Sequence, residues 1–319
     1  MRRLFTKLQG LGNDFILFDE LAKRPNEKSC IEMTPELAIQ LCDRRFGVGA
    51  DGVFILRNAC DQTKADISWE FYNSDGSVAE MCGNAVRCVA RYIFESDLWP
   101  MPTPTLEPVV IVGEDGDLDL DSSDSENIKI CCGELRIETL AGIKTIGLKL
   151  DAEGKFFGAR VDMGIAELDS DIAIGERNYA RVSMGNPHAV TFVDELKGEF
   201  GTAPVSTEGP VVEVDSAFPH KTNVEFVQIM SRDRIRLRVW ERGAGETLAC
   251  GTGACAAVVA AYEQGLVGSR VTVDLLGGSL IIEVNDSRRV FMTGPAETVF
   301  TGKLNLNAGP CKDPCADPC

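Results

Sequence analysis

Long apolar runs, histidine and net positive charge are all scarce in this sequence of 319 residues. The longest unbroken apolar run, residues 254–262, has nine residues, whereas a bilayer crossing requires about 18. Charged residues interrupt every apolar stretch near the amino terminus, so we expect neither a membrane span nor a signal peptide. The net charge of −17 opposes non-specific binding to nucleic acid or anionic lipid. We therefore expect no nucleic-acid partner and no membrane partner.

Metal-binding patterns are also missing from the sequence. The only histidines, His188 and His220, fit no ligand spacing, and no two cysteines form a Cys-x-x-Cys pair. Residues 115–126 match several acidic positions of a calcium loop, but Leu120 stands where that loop requires glycine. A solvated acidic loop is the favoured interpretation. We expect no metal and no cofactor.

The twelve cysteines are scattered along a chain that is long enough to bury its own core. This spread favours reduced thiols over a disulfide framework and predicts a cytoplasmic protein. A free cysteine is usually a small buried hydrophobe. We expect that structural role for Cys30, Cys42, Cys60, Cys88, Cys131, Cys132 and Cys255.

Two further cysteines, Cys82 and Cys250, belong to an internal repeat. Residues 71–90 align without a gap on residues 239–258 at an offset of 168, which places Cys82-Gly83 on Cys250-Gly251. An upstream segment beginning Gly12-Asn13 aligns with Gly185-Asn186 at the similar offset of 173. Two similarities in the same order predict that one domain has been duplicated.

Each repeat contains a strand-like stretch (residues 67–72 and 235–240), a turn and then a helix-like run that begins just after the cysteine. Further strands are predicted at residues 51–56, 135–139, 145–150, 190–193, 224–230, 271–275, 280–284 and 290–293. The two runs are apolar on most or all sides, and a helix of that kind is buried all round. We predict an α+β fold of two pseudo-symmetric domains, each a curled β-sheet or barrel around a buried central helix. If the two domains face each other across their pseudo-twofold axis, the active site is expected in the cleft between them.

The expected domains are residues 1–153 and 154–308, and the last strand of the second is able to return to the first. An acidic, proline-bearing insertion occupies about residues 99–127 of the first domain, where neither a strand nor a helix pattern is present. The Cys/Pro-rich tail at residues 309–319 is expected to be disordered.

The position of Cys82 and Cys250 suggests chemistry. A cysteine immediately before a helix receives the unpaired amides of the first turn and the positive end of the helix dipole, which stabilise a thiolate. The glycines that follow let the same helix end approach an anion such as a carboxylate. Two such thiols on opposite faces of a carbon centre are suited to removing a proton from one face and returning one to the other.

Blocks typical of one enzyme family follow one another along the chain, at residues 5–15, 71–77, 81–85, 185–188, 223–226, 241–247 and 249–253. With these blocks the sequence resembles the diaminopimelate epimerases, amino-acid racemases and epimerases that use two cysteines and no pyridoxal phosphate. The resemblance implies an isomerase that interconverts LL- and meso-2,6-diaminopimelate, a small-molecule substrate, in lysine and peptidoglycan precursor biosynthesis. It also implies a homodimer.

The resemblance assigns a role to each site residue. Cys82 and Cys250 are implied to be the catalytic acid/base thiols, with His188 and Glu241 tuning their pKa values. The implied substrate-binding residues are Asn13, Asn73, Gly83, Asn84, Asn186, Asn223, Glu241, Arg242, Gly251 and Thr252.

One departure and two alternatives accompany this assignment. Position 52 is Gly where some family members carry a glutamine that contacts substrate, which puts that contact in doubt. A proline or hydroxyproline racemase shares the expected fold and cysteine pair, but Arg242 and the asparagines favour a substrate with a second amino-acid end. A thiol redox protein, with Cys82 and Cys250 as a working disulfide, is the alternative from another class.

Overall fold

The computed structural model of the chain describes residues 2–21, 29–79, 81–98, 129–151, 153–196, 200–306 and 309–310. The chain separates into two compact units. The first comprises Met1–Gly10, Asp14–Arg160 and Pro295–Cys319, and the second comprises Leu11–Asn13 and Val161–Gly294. The predicted acidic insertion at residues 99–127 lies outside the described residues, as does the tail apart from residues 309–310. Among the helices that are described, none is long and apolar enough to cross a membrane.

The described elements are mostly strands, with four helices among them. Their bounds, up to the end of the first half of the chain, are β1 (Arg2–Gly10), β2 (Asn13–Asp19), β3 (Ser29–Cys30), α1 (Pro35–Cys42), β4 (Gly52–Asn58), β5 (Ile67–Asn73), α2 (Gly83–Glu95), β6 (Lys129–Thr139), β7 (Gly142–Leu150) and β8 (Phe156–Ile165). The later elements are β9 (Glu167–Ile174), β10 (Arg177–Ser183), β11 (Pro187–Phe192), α3 (Val205–Glu213), β12 (Asn223–Ser231), β13 (Arg234–Glu241), β14 (Gly245–Thr247), α4 (Gly251–Glu263), β15 (Arg270–Leu275), β16 (Gly278–Val284), β17 (Arg289–Gly294), β18 (Glu297–Asn305) and β19 (Gly309–Pro310).

The sheet of the first unit is built from two parallel crossovers. β2 pairs parallel with β4 and β5 pairs parallel with β6, whereas β4–β5 and β6–β7 are antiparallel. Because a parallel pair needs a long connection, each crossover contains a helix: α1 joins β2 to β4, and α2 joins β5 to β6. β1 continues the sheet beside β2 and pairs antiparallel with β18 on its other side.

The second unit repeats this plan. β11 pairs parallel with β12 through α3, and β13 pairs parallel with β15 through α4, while β12–β13 and β15–β16 are antiparallel. The sheet extends on one side through β10 to β9, and on the other through β17 to β8. The order of parallel and antiparallel pairs is therefore the same in both units.

The register of the pairs matches the sequence repeat. Ile67 pairs with Ile137 in the first unit, and Ile235, at the offset of 168, pairs with Val273 in the second. At the upstream offset, Phe15 pairs with Gly52 and His188 pairs with Asn223. The predicted duplication and α+β class are confirmed by this correspondence.

Each unit buries one helix almost completely. In α4 all residues from Gly251 to Ala261 except Thr252 are buried, and in α2 the buried positions run without a break from Gly83 to Ala90. The helix α4 packs against β10, β11, β12, β13, β15, β16 and β17. Both predicted central helices are confirmed, and both begin at the residue after the cysteine.

The strands that carry the core are buried on both faces. In β4, Val53 and Ile55 pack with Ala38 and Leu41 of α1. Their neighbours Phe54 and Leu56 are also fully buried, and because side chains alternate across a strand they lie on the opposite face. In β12, Val224 and Phe226 belong to the core beneath α3 in the same way.

Some expectations differ from the structure. Cys42, Cys88 and Cys255 are buried as predicted, but Cys60 is exposed, because it lies in the turn after β4. The strands β8, β9, β10 and β18 were not among those that the sequence pattern identified. In β9 and β18 most positions are exposed, so their apolar periodicity is weak.

A charged network holds the beginning of β2 in the first unit. The ammonium group of the buried Lys7 lies 2.7 Å from Asp14 Oδ2, and Arg44 Nη2 lies 2.7 Å from both Asp14 Oδ1 and Asp51 Oδ1. The Asp14 amide donates to Asp51 Oδ2 at 3.0 Å. Burial opposes ionisation of Asp14, but the hydrogen bonds from Arg44 and Lys7 outweigh it and lower its pKa to about 2. The ionised carboxylate therefore stabilises the fold.

We predict that Asp14→Asn lowers the free energy of unfolding by roughly 1–2 kcal/mol at neutral pH, allowing for solvent screening of a half-buried group. The folded pKa lies below the unfolded value of about 3.9, so the contribution is full above pH ~4 and is lost as pH falls towards 2. Urea unfolding of both proteins at several pH values measures this. A difference between wild type and variant that stays constant from pH 7 to pH 2.5 would contradict it.

Candidate active site

Cys82 is the N-cap residue of α2. Its backbone is extended, with φ −143° and ψ 118°, and its side chain makes no capping hydrogen bond to the helix. Its carbonyl accepts the first helical hydrogen bond, from the Val86 amide at 2.9 Å. Cys82 is partly exposed. The amides of Gly83 and Asn84 begin the helix directly after it, so this end of α2 is suited to an anionic group.

A tight turn precedes Cys82. Asn73 is the last residue of β5. Its side-chain nitrogen Nδ2 donates to Ser77 Oγ at 3.0 Å, and its backbone N–H donates to the Ser77 carbonyl at 2.8 Å. Gly76 adopts φ +82°, and an added Cβ would lie 2.8 Å from the Pro35 carbonyl. The turn is thereby fixed against α1, and with it the position of Asn73.

A buried cation lies in the first turns of α2. Arg87 is fully buried, and its Nε donates to the Pro295 carbonyl at 3.1 Å while Nη1 lies 3.5 Å from the Gly83 carbonyl. Gly10 leaves room for it, because a Cβ there would lie 3.1 Å from Arg87 Nη2. Arg87 was not predicted as a site residue, and its charge stands at the helix end that carries Cys82.

Position 52 has no space for a side chain. A Cβ at Gly52 would lie 2.6 Å from the Phe71 ring and 2.9 Å from the Tyr72 carbonyl. The glutamine of some relatives therefore has no equivalent here without a rearrangement of Phe71. By register, Gly52 corresponds to Asn223 of the second unit.

The turn that carries Asn13 belongs to the second unit. Leu11 and Gly12 adopt φ 57° and 85°, in the left-handed region that glycine favours. An added Cβ at Gly12 would lie 2.7 Å from Leu248 Cδ1, so the turn packs closely against the segment leading to Cys250. This contact places Asn13 beside the second cysteine loop.

Cys250 is the N-cap residue of α4, with an extended backbone (φ −120°, ψ 113°) like that of Cys82. It is buried, at 5% exposure, and its sulfur lies 3.6 Å from Thr252 Oγ1. Burial, followed by the charge of Glu241, raises the pKa of Cys250 well above its usual value, outweighing hydrogen bonds from Thr252 and the Gly253 amide. Cys250 is therefore held as a protonated thiol, whereas the helix position alone favours a thiolate.

A buried acid and base lie behind Cys250. His188 Nδ1 is 2.7 Å from Glu225 Oε1, and both side chains are completely shielded from solvent. His188 Nε2 is 3.1 Å from Asn186 Oδ1, and Asn186 Nδ2 donates to Thr252 Oγ1 at 3.3 Å. Glu225 was quoted in a family block but received no predicted role. The available signal was an acidic residue within the apolar sequence of β12, because a buried charge requires a partner.

Asn223 and Arg242 lie near His188 in the second unit. The Asn223 side chain donates to the Pro187 carbonyl at 3.2 Å and accepts from the Arg242 amide at 2.9 Å. The exposed Arg242 guanidinium donates from Nη1 to the His220 carbonyl at 3.1 Å. Thr247 donates its hydroxyl to Glu241 Oε1. Asn223 therefore links the strand end at His188 to the loop that presents Arg242.

The predicted residues thus form one group in each unit. The first unit brings Asn73, Cys82, Gly83 and Asn84 to one end of α2. The second brings Asn13, Asn186, His188, Asn223, Glu241, Arg242, Cys250, Gly251 and Thr252 to the corresponding end of α4 and the loops around it. Within the described residues no cluster of His, Cys, Asp and Glu has the composition of a metal site.

Solved structures of other proteins share this fold. A hydroxyproline epimerase from Agrobacterium vitis, bound to trans-4-hydroxy-L-proline, has the same fold with a TM-score of 0.64 and 16% identity, over 98% of this chain and 94% of that chain. A phenazine biosynthesis protein of the PhzF family from Bacillus anthracis matches with a TM-score of 0.62 and 13% identity, over 96% and 100% of the two chains. The fold is that of the duplicated racemases, epimerases and their relatives.

The sequence matches narrow this class to one family. The family model for diaminopimelate epimerase matches residues 5–168 and 180–299. Diaminopimelate epimerases from Pelotomaculum thermopropionicum and Heliobacterium modesticaldum are 43% and 40% identical, over 94% and 95% of this chain and 98% and 99% of their own lengths. The chain belongs to the diaminopimelate epimerase family, which confirms the resemblance seen in the sequence.

We predict that Gly253→Ala destabilises the protein, although alanine is normally the better helix former by about 1 kcal/mol. The new methyl group would lie 2.8 Å from Glu225 Oε1 and 3.3 Å from Cys250 Sγ. Thermal unfolding measures the effect. The equivalent position in α2 is Ala85, so Ala85→Gly is the matched control and should lose only the helix-propensity difference. A more stable Gly253→Ala protein would contradict the close packing of Glu225 under the helix.

Proposed function

We propose that Cys82 and Cys250 are the two acid/base groups of a diaminopimelate epimerase that interconverts the LL and meso isomers of 2,6-diaminopimelate. The single observation that carries this proposal is the repeated N-cap cysteine: in each pseudo-symmetric unit a cysteine is the N-cap residue of the buried crossover helix. Relatives named diaminopimelate epimerase at about 40% identity over nearly the whole chain give the substrate.

In the proposed reaction, one sulfur in its thiolate form removes the proton from the alpha carbon. The other sulfur, as a thiol, delivers a proton to the opposite face, and the electron pair left by the first step forms the new C–H bond. The reverse reaction exchanges the two roles, so the thiols titrate as a coupled pair. The raised pKa of Cys250 supports a resting enzyme in which this residue is the protonated partner.

Binding of the carboxylate supplies the main electrostatic stabilisation. An alpha proton is much less acidic than a thiol, so the carbanion must be stabilised where its charge develops. The amides of Gly83 and Asn84 in one unit, and of Gly251 and Thr252 in the other, are the donors that we propose for the carboxylate of the reacting centre. The buried cation Arg87 increases the positive potential at the first of these helix ends.

The distal amino-acid end is assigned to the polar rim. We propose that Asn13, Asn73, Asn186, Asn223, Glu241 and Arg242 hold its amino and carboxylate groups. Arg242 is the only one of these residues that carries a positive charge, and it lies exposed on the loop that Asn223 fixes. A ring substrate such as hydroxyproline has no second amino-acid end for these groups, and a working disulfide would leave them without a role.

The cellular location, the oligomeric state and the pathway of the enzyme are also proposals. We infer a cytoplasmic location from the scattered cysteines, a homodimer from the resemblance to the family, and a reaction in lysine and peptidoglycan precursor synthesis from the substrate. Sedimentation of the purified protein tests the assembly.

Incubation with LL-diaminopimelate in deuterium oxide and a reductant tests the reaction directly. We expect the meso isomer to form with deuterium at the alpha carbon, because the returned proton comes from a solvent-exchanged thiol. An absence of both isomerisation and exchange under reducing conditions would rule out the epimerase. Exchange with hydroxyproline but not with diaminopimelate would favour the ring-substrate alternative.

We predict that Cys82→Ala and Cys250→Ala each abolish net epimerisation, because each thiol serves one face of the carbon. Cys88→Ala and Cys255→Ala are matched controls, since each removes a buried sulfur from the same helix, and they should retain most of the activity. Isomer ratios over time measure all four variants. An active Cys250→Ala enzyme would refute the two-base scheme.

We predict that Arg242→Lys lowers kcat/KM by at least about tenfold, because lysine keeps the charge but loses the two-pronged contact with a carboxylate. Arg234→Lys is the control: Arg234 is an exposed arginine paired with Asp274 at 2.7 Å and should have kinetics like those of wild type. Unchanged kinetics in Arg242→Lys would place this residue outside the binding site.

A further inference from the structure

A continuous row of side chains connects the buried Glu225 to the sulfur of Cys250. Glu225 Oε1 is 2.7 Å from His188 Nδ1, and His188 Nε2 is 3.1 Å from Asn186 Oδ1. Asn186 Nδ2 donates to Thr252 Oγ1 at 3.3 Å, and Thr252 Oγ1 is 3.6 Å from Cys250 Sγ. The row lies entirely within the second unit. It ends at one thiol and begins at a carboxyl that the reaction does not use.

The contacts determine which group donates and which accepts in each hydrogen bond of the row. Because the Asn186 side-chain nitrogen donates to Thr252, its oxygen faces His188 and accepts a hydrogen bond from Nε2–H. A neutral imidazole that carries its proton on Nε2 must accept at Nδ1, so Glu225 is the donor there. Thr252 Oγ1 already accepts from Asn186, and its own hydroxyl proton is free to point to the sulfur. Every donor in the row then faces Cys250.

The protonation state of Glu225 agrees with this direction. Its side chain is completely shielded from solvent, and Oε2 has no hydrogen-bond partner among the residues that the structure describes. Burial, the largest effect, raises the pKa of the carboxyl, and the neighbouring Glu241 raises it further, against the opposing influence of His188. A neutral carboxylic acid leaves one oxygen unpaired at much lower cost than a carboxylate does.

The first unit lacks the corresponding row. By register, Phe15 and Phe54 occupy the positions of His188 and Glu225, and their rings pack with centroids 5.9 Å apart. Both phenylalanines are buried at 1% exposure or less. The duplication has therefore placed an apolar pair behind one cysteine and a hydrogen-bonding pair behind the other.

We propose that Glu225 is a positioning residue, which as a buried donor to His188 fixes the imidazole tautomer and thereby aligns Asn186 and Thr252 to donate a hydrogen bond to the Cys250 thiolate. The proposal rests on the acid/base role proposed for Cys250. Its effect belongs to the direction of reaction in which Cys250 removes the alpha proton, because only then does the sulfur carry a negative charge. Glu241 is the other acidic group facing this sulfur, and the row offsets its repulsion of the thiolate.

An ionised Glu225 would act in the opposite sense. It would form an ion pair with a protonated His188 and repel a thiolate at Cys250. Removing the carboxyl would then make the sulfur easier to ionise, whereas removing the donor of the proposed row makes it harder. The sign of the change therefore distinguishes the two arrangements.

The test is the rate of alkylation of Cys250 by iodoacetamide as a function of pH, with each modified thiol identified by peptide mass mapping. Glu225→Leu removes the donor and should raise the pKa of Cys250 by about one unit, which slows its alkylation about tenfold at fixed pH. Glu225→Gln keeps an N–H donor facing His188 Nδ1 and should stay within about threefold of wild type. Faster alkylation in either variant, an unchanged rate in Glu225→Leu, or equal slowing in both would overturn the proposal.

Two controls are built into the fold. Cys82 in the same sample has no such row, and its alkylation should be the same in all variants. Phe54→Leu alters the equivalent position of the first unit and should leave the Cys250 rate unchanged. A change at Cys82 in the Glu225 variants, or a tenfold change at Cys250 in Phe54→Leu, would show a general packing effect and overturn the proposal.

Thr252→Val provides an independent route if Glu225→Leu fails to fold. It removes the last hydroxyl of the row from a partly exposed position and should also slow Cys250 alkylation about tenfold. Where both variants fold, the double variant should be no slower than Thr252→Val alone, because residues in one row do not act additively. Additive slowing, or no slowing in Thr252→Val, would overturn the proposal.

The alkylation experiment is independent of the reaction assigned to the enzyme. If diaminopimelate is not epimerised but the rates change as expected, the proposed function fails and the role of Glu225 stands. If epimerisation is observed but the rates do not change, the proposed function stands and the role of Glu225 fails.

Discussion

The amide groups at the start of a fully buried helix are the constraint on which the rest of this structure depends. A helix leaves the first four amides without internal partners, and α2 and α4 are buried on nearly every side. Neither has a side-chain cap from its N-cap residue. The amide groups of the first helical turn are therefore directed at the cysteine sulfur and at any anion that binds in front of it. Burial of the helix, which is a matter of packing, creates the binding potential that the reaction uses.

Both units contain such a buried helix after a cysteine, but the surroundings of the two cysteines differ. The helix α2 carries a buried arginine in its first turns, whereas the equivalent residue of α4 is Cys255. The second site has instead a buried acid and imidazole beneath its helix, where the first has two aromatic rings. An epimerase that acts on two stereoisomers has a reason for this difference, because at each moment one sulfur must be charged and the other neutral. Different surroundings separate the pKa values of two otherwise equivalent thiols.

Much of the fold was predictable from the sequence because burial of the central elements leaves a strong pattern. The helix α4 is apolar on all sides, and the strands β4, β12 and β15 to β17 are rich in β-branched and aromatic residues, so their positions followed from periodicity. The cysteines stood out because the repeat aligned them. The strands β8 to β10 were missed, and β9 in particular carries exposed acidic residues along much of its length. Their pairing depends on long-range register, which a local pattern does not contain.

The site was predictable to a similar degree. Cys82, Cys250 and the asparagines lie in turns and at helix ends, where residue type alone suggests function. Arg87 and Glu225 lie inside a helix and a strand, where a single charged residue is easily taken for a surface position. Their importance comes from burial, and burial depends on which face of each element meets its neighbours. The closed space at Gly52 has the same origin, since it depends on how the Phe71 ring packs.

The division of the chain between the two units also determines the order in which they are able to fold. The first strand, β1, pairs along its whole length with β18, and nearly the entire second unit lies between them in the sequence. During synthesis on a ribosome, β1 is made well before its partner β18. The second unit, complete at Gly294, is finished before the first. Until β18 has been made, the outer edge of β1 has no partner strand. An unpaired strand edge is prone to mispairing, so β1 is a vulnerable part of the nascent chain.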